Sequence, residues 1–151
     1  MAIGATFTDL TPEGQVFFQE LYELQDQKVY AGIKEGTFYE DGTSVAAVAA
    51  FNEYGTSTIP PRPFMKQSFE KNRSELETMC TDALRTVNEG GSADAGLEKI
   101  GLFMKESIQK EIDTGSFTPN AESTVKAKGS SKPLIDTGLM RDSVDYEVTN
   151  R

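Results

Sequence analysis

The tripeptide Asp-Thr-Gly occurs twice in the chain and is the feature that comes nearest to a catalytic motif. The first copy is Asp113-Thr114-Gly115 and the second is Asp136-Thr137-Gly138, each directly after an isoleucine. Two aspartates held side by side can share one proton, so that one acts as a general acid and the other as a general base. The chemistry that such a pair would carry is the hydrolysis of a peptide bond.

The spacing and surroundings of the two copies argue against that chemistry. In an aspartic protease each aspartate needs its own β-lobe, and the stretch between these two copies is too short to supply one. Asp113 falls at the end of a predicted helix, where Gly115 is a stop signal. Asp136 is predicted to cap a short helical turn that runs to Asp142. An aspartic-protease-like enzyme therefore remains only as a remote alternative.

The residue types that most enzymes use are scarce in this chain. Histidine is absent and Cys80 is the only cysteine among the 151 residues. The commonest general base is therefore missing, and so are the usual zinc sites and histidine-assisted nucleophiles. A single cysteine also excludes an internal disulfide, and we predict that Cys80 is a small core residue on the apolar face of a helix. We expect no enzymatic activity, no cofactor and no metal.

The charge of the chain is strongly negative, with 24 acidic against 15 basic residues and a net charge of −9. General electrostatic binding of nucleic acid needs a basic face, so we do not expect it, although an acidic wall could let DNA slide past. Glu35, Glu40 and Asp41 lack the spacing of a calcium loop and favour a solvated turn. No apolar run approaches the length of a membrane span, and no signal peptide is visible, so no membrane partner is expected.

The hydrophobic periodicity predicts an α+β fold in a single domain, residues 1–151. We expect a small, mainly antiparallel sheet with three to four helices on it and an extended loop or arm. Residues 1–27 form an irregular lead and a helix that starts at Thr11 and Pro12. The other predicted elements are a strand over Lys28–Lys34, an alanine-rich helix capped by Ser44, two long amphipathic helices over Phe64–Asn88 and up to Gly115, a mobile loop over residues 116–135 and a strand over Ser143–Thr149.

A proline-rich elbow separates the alanine-rich helix from the first long helix. Gly55 follows Tyr54 as the left-handed residue after a helix would. The sequence Ile59-Pro60-Pro61-Arg62-Pro63 then favours extended backbone, and Pro63 suits the first position of the next helix. A rigid and exposed elbow of this kind suits a contact surface better than a catalytic pocket.

Two stretches together resemble the tail-completion or neck proteins of tailed bacteriophages, also described as minor tail or virion-morphogenesis proteins. The first runs over Val45–Met65, where AAFNEYGT leads into IPPRPFM. The second runs over Lys128–Val148, KGSSKPLIDTGLMRDSVDYEV. The order of predicted elements from Lys28 to the end also matches that family. Tyr54 stands where phenylalanine is common in the family, and Pro61 where alanine is common.

The resemblance implies a structural virion protein at the head–tail junction, assembled in the host cytoplasm. Such proteins form homo-oligomeric rings, here expected to be six-fold, between the head connector or stopper and the tail terminator or tube protein. DNA would pass through the channel without sequence-specific binding. A tail terminator and a head-closure stopper are the alternative positions. The residues expected at interfaces are Tyr54, Gly55, Pro60, Pro61, Arg62, Pro63, Phe64, Lys126, Lys128, Lys132, Leu134, Asp136 and Arg141.

Overall fold

A computed structural model describes residues 11–129 and 131–150. It contains six helices and two strands within those ranges and confirms the predicted α+β class. The predicted lead, residues 1–10, lies outside the described residues. In chain order the elements are α1 (Pro12–Asp26), β1 (Gln27–Ile33), α2 (Val45–Tyr54), α3 (Phe64–Asn88), α4 (Asp94–Thr114), α5 (Glu122–Lys128), α6 (Leu139–Asp142) and β2 (Val144–Asn150).

The two helix starts that carry hydroxyl residues are capped as predicted. The Thr11 hydroxyl accepts a hydrogen bond from the Gly14 amide at 3.2 Å, and the Ser44 hydroxyl accepts one from the Ala47 amide at 3.3 Å. Each bond satisfies one of the four amides that a helix leaves unpaired at its start. The sequence therefore positions α1 and α2 through local capping.

The sheet consists of β1 and β2 in antiparallel pairing. The register runs without interruption from Gln27 opposite Asn150 to Ile33 opposite Val144. Apolar side chains of both strands pack on α4, and Gly101 of α4 leaves room for the ring of Tyr146. A Cβ at that glycine would lie 2.1 Å from the Tyr146 ring. The close approach of β2 to α4 thus depends on a glycine that no larger residue could replace without a shift.

The long helices α3 and α4 form an antiparallel hairpin that carries most of one core cluster. A turn with Gly90 at a φ of 85° joins them. Leu76, Val87, Leu97 and Ile100 are buried between the two helices, as the apolar stripes predict. The prediction for Cys80 is wrong, because the residue is exposed and belongs to neither core cluster.

A second core cluster joins the remaining elements. Its buried members come from α2, α3, α4, α6, the segment before α6 and β2, namely Val45, Ala49, Phe64, Ile108, Ile112, Leu134, Met140 and Val144. The cluster therefore lies where the elbow, the C-terminal segment and the end of α4 meet. No helix among the described residues is long and apolar enough to cross a membrane.

Candidate assembly interface at the proline elbow

The elbow is closed by a tight turn that requires glycine at its start. Gly55 has φ 77° and ψ 170°, a backbone region that is essentially restricted to glycine. A Cβ there would lie 3.0 Å from the carbonyl oxygen of Ile59 and from two atoms of Pro61. The Thr56 amide donates to the Ile59 carbonyl oxygen at 2.8 Å, which closes the turn. The prediction of a left-handed residue at Gly55 is right in the sign of φ, but the ψ of 170° lies outside the left-handed helical region.

Arg62 is the hub of the elbow and is only 6% exposed. Its Nε donates to the Thr118 carbonyl oxygen at 2.8 Å, and its Nη2 donates to the Pro119 carbonyl oxygen at 3.2 Å. Its Nη1 donates to Oδ1 of Asn52 at 3.1 Å. Burial lowers the pKa of the Arg62 guanidinium. The planar fork of this side chain thus connects the end of α2 to the segment that follows α4.

Glu53 caps α3 from a distance. The residue before α3 is Pro63, which has no side-chain oxygen and makes no cap hydrogen bond. The two carboxylate oxygens of Glu53 instead accept hydrogen bonds from the amides of Met65 at 2.9 Å and Lys66 at 3.0 Å. A carboxylate at a helix N-terminus satisfies unpaired amides and interacts favourably with the helix dipole. The last turn of α2 therefore fixes the direction in which α3 starts.

Neither Asn52 nor Glu53 was among the predicted contact residues, although both belong to the motif that carries the resemblance. The sequence does contain a signal for Glu53. A long helix that begins after proline lacks a capping side chain of its own, so a nearby carboxylate is needed to supply one. The role of Asn52 depends on a contact with Arg62 that only the folded chain reveals.

The prediction that the elbow is exposed is right for some residues and wrong for others. Tyr54 is 82% exposed, and Pro60 and Pro61 are also exposed. Phe64 is fully buried, because the first residue of α3 points into the core cluster that contains Val45 and Ala49. Arg62 is buried because backbone carbonyl groups surround its guanidinium. Pro63 is half-buried and precedes α3 instead of forming its first residue.

The segment predicted as a mobile loop over residues 116–135 is partly helical. Helix α5 spans Glu122–Lys128 and ends at Gly129 with a left-handed φ of 68°. Lys126 and Lys132 are exposed, whereas Lys128 is half-buried with its Nζ 3.5 Å from the Ile135 carbonyl oxygen. Helix α5 ends at a glycine, as helices often do. The sequence did not predict the helix itself, because its seven residues are mostly polar and so few residues rarely form a stable helix alone.

Leu134 and Asp136 occupy different surroundings from those predicted. Leu134 is buried in the core cluster, with an unusual positive φ of 27°. Asp136 is exposed and does not cap α6. Gly138 occupies the cap position without a side chain, and the Thr137 hydroxyl accepts a hydrogen bond from the Leu139 amide at 3.3 Å. The neighbouring hydroxyl therefore takes the role that was predicted for the aspartate.

Arg141 pairs with the aspartate of the first Asp-Thr-Gly copy. Its Nε lies 3.0 Å and 2.8 Å from the two carboxylate oxygens of Asp113, and its Nη1 lies 3.0 Å from Asp142. These hydrogen bonds, that to Asp113 first, raise the pKa of Arg141. None of the hydrogen bonds in the described part of the chain joins Asp113 to Asp136. The two aspartates thus have different partners, and Asp113 ties α4 to α6.

A groove of about 650 Å³ separates the two motif-bearing segments on the surface. Its apolar floor contains Val48 and Leu139, and its rim carries four carboxylates, from Glu40, Asp41, Asp136 and Asp142. Tyr39 also lines the groove. Burial, followed by the negative charges of Asp136 and Asp41, raises the pKa of the Tyr39 hydroxyl. The groove therefore combines apolar side chains with an excess of negative charge, because its four carboxylates face only one ammonium group, that of Lys128.

No group of three or more His, Cys, Asp or Glu side chains within the described ranges is arranged to hold a metal ion. Comparisons with known proteins add no relative: no protein-family model, curated protein or solved structure matches the chain.

Proposed function

We propose that this protein is a structural subunit of a phage neck, a tail-completion protein that joins the head connector to the tail. It acts by assembly, without catalysis, as a homo-oligomeric ring with six-fold symmetry. Its site is the head–tail junction of the virion, and assembly takes place in the host cytoplasm. The proposal rests on the resemblance of two sequence stretches, together with the way in which these stretches pack.

The observation that carries the proposal is the core cluster that the two stretches share. Val45, Ala49 and Phe64 belong to the first stretch, and Leu134, Met140 and Val144 belong to the second. All six are buried, although the stretches are far apart in the sequence. The two stretches therefore form one structural unit, as a single family fold would require.

The exposed parts of the two stretches are the proposed contacts with neighbouring proteins. Tyr54, Pro60 and Pro61 are exposed on the elbow, Asp136 is exposed in the second stretch, and Lys126 is exposed on α5 just before that stretch. The partners are the adjacent ring subunit, the head connector or stopper, and the tail terminator or tube protein. The buried residues Arg62, Phe64 and Leu134 hold these surfaces in shape. The net charge of −9 suits a channel through which DNA passes without adhering.

A null mutation in the phage that carries this gene tests the proposed function. We expect the lysate to contain DNA-filled heads and separate tails of normal length, as seen by electron microscopy. Tails of abnormal length would instead indicate a terminator, and heads that lose their DNA would indicate a stopper. Infectious, fully joined virions from the null mutant would refute a role in the neck.

A deletion of residues 126–132 tests the second stretch separately. The proposal predicts that virions carrying this deletion fail to join heads to tails. Substitution of Lys99 by alanine, an exposed lysine on α4 outside both stretches, is the matched control and should leave joining intact. Infectious virions from the deletion would remove this segment from the proposed contacts while leaving the elbow in place.

A further inference from the structure

Both outer edges of the two-stranded sheet are open. Strands β1 and β2 pair over seven residue pairs. The Gln27 amide donates to the Leu24 carbonyl oxygen of α1, and beyond Gln27 no other backbone group in the described part of the chain bonds to either strand. The register contains no bulge, and neither strand contains proline. Natural sheets usually blunt an exposed edge with such devices or with charged side chains, because an open edge is a template for a further strand. Charged side chains are the device present in both strands here, so their signs decide which strand can pair at each edge.

The two faces of the sheet differ in polarity. One face packs on α4 through Val29, Ala31 and Val148 and the residues beside them. The opposite face carries Lys28 and Tyr30, which are exposed, together with polar residues of β2. A strand that docks at either edge would continue both faces. Its own alternation should therefore be apolar on one side and polar on the other.

The charges of the two strands are opposite. Lys28 lies in β1 and Lys34 follows it directly, whereas β2 carries Asp145 and Glu147. The pairing already operates inside the chain, where Nζ of Lys34 lies 3.1 Å from Oε2 of Glu147. If two copies paired through the same strand, lysine would approach lysine, or carboxylate would approach carboxylate, which is unfavourable. Pairing of β1 with the β2 of another copy avoids both conflicts.

We propose that the outer edge of β1 binds the outer edge of β2 of a second copy, which makes one continuous sheet across the subunit boundary. The inference rests on the proposed function, since it names the contact through which the ring forms. The two edges lie on opposite sides of the sheet, so the contact is heterologous and repeats from copy to copy. Such a contact closes into a ring when its rotation closes.

The first half of β1 is the more accessible part of its edge. The side chain of Met65 lies beside Gly32, with its Cε 3.9 Å from the position that a Cβ would take. Gln27 is occupied, because its amide donates to the Leu24 carbonyl oxygen and its Nε2 donates to Oδ1 of Asp94 at 3.2 Å. Lys28 is exposed, and Tyr30 is 56% exposed. The contact is therefore centred on residues 28–30, where main-chain hydrogen bonds supply affinity and Lys28 supplies charge complementarity.

Disulfide trapping between two differently tagged chains tests this contact. Both chains carry Cys80→Ser, so that each has one cysteine and cannot form a disulfide within itself. The first chain carries Tyr30→Cys, and the second carries a cysteine in place of Asp145, Glu147 or Thr149, which covers alternative registers. We expect at least one pair to give a mixed disulfide dimer at several times the yield of either homodimer, on non-reducing gels under mild oxidation.

The matched control replaces the β2 cysteine by one on α3, Glu77→Cys, which is equally exposed but far from either edge in the proposed contact. Circular dichroism checks that every variant is folded. Mixed dimers no more abundant than with this control, or a predominance of homodimers, would overturn the inference. That result, combined with a null mutant that fails to join heads and tails, would reject the strand contact alone. A null mutant with normal virions would reject the neck function itself.

Discussion

Replacing Arg62 by methionine should destabilise the protein far more than an ordinary arginine substitution. Methionine retains an apolar stem of similar length but removes three side-chain hydrogen bonds, to Asn52, Thr118 and Pro119. At about 1 kcal/mol for each bond, the free energy of unfolding should fall by roughly 3 kcal/mol. Thr118 and Pro119 are exposed residues, so water can hydrogen-bond to their carbonyl groups after the substitution. We therefore do not expect a larger loss of stability.

Chemical denaturation followed by circular dichroism measures this loss. The control is Arg73→Met on α3, because Arg73 is exposed and its Nε lies 3.8 Å from Glu77. Exposed pairs of this kind contribute little, so the control should lose less than about 1 kcal/mol. Arg62→Lys should also lose about 2 kcal/mol, since a single ammonium group cannot reproduce the fork. If Arg62→Met and Arg73→Met proved equally stable, the elbow would not depend on this hub.

Three further substitutions probe the elbow and the groove. Glu53→Gln should cost about 1–2 kcal/mol of stability by weakening the cap of α3, whereas the exposed control Glu70→Gln should cost little; equal losses would contradict the cap. Gly55→Ala should be clearly worse than Gly129→Ala, because both have positive φ but only Gly55 lacks space for a Cβ, and thermal melts should rank them in that order. The raised pKa of Tyr39 predicts stability that is full below pH 10.0 and lost as the pH rises through the folded-state value. Tyr39→Phe should therefore flatten the alkaline decline in stability, and an unchanged decline would contradict that assignment.

Local signals in the sequence were enough to predict most of the fold. Caps at Thr11 and Ser44, the periodic stripes of α3 and α4 and the alternation in both strands are properties of neighbouring residues. Each of them was confirmed in position to within a residue or so. The predicted class depends on these elements alone, which explains why it could be reached without any knowledge of their packing.

The interior of the elbow could not be predicted because it depends on contacts between distant residues. Proline and arginine are usually exposed, so a stretch rich in both was expected to face solvent. The structure instead buries Arg62 among carbonyl groups of a segment that lies far along the chain. The same limit applies to Asp136, because a cap can be assigned only when the position of the first helical residue is known. Cys80 falls on the apolar face of α3 by its spacing but is exposed. Periodicity therefore predicts which face of a helix packs, but not how many residues of that face are buried.

The exposure of the elbow also changes which of its residues can contact another protein. Tyr54 projects into solvent beside Pro60 and Pro61, while the motif residues with the most distinctive chemistry are occupied inside the chain. The buried part of the motif therefore has a structural role, which is to fix the orientation of α3 relative to α2. Contact with neighbouring subunits would use the outer surface of the elbow.

Cryo-electron microscopy of the virion of the phage that we propose as the source of this chain tests the central proposal most directly. The account predicts a six-fold ring of this fold between the head connector and the tail, with the α3–α4 hairpin recognisable in each subunit. Density for this protein anywhere else in the particle, or its absence from purified virions, would contradict the account.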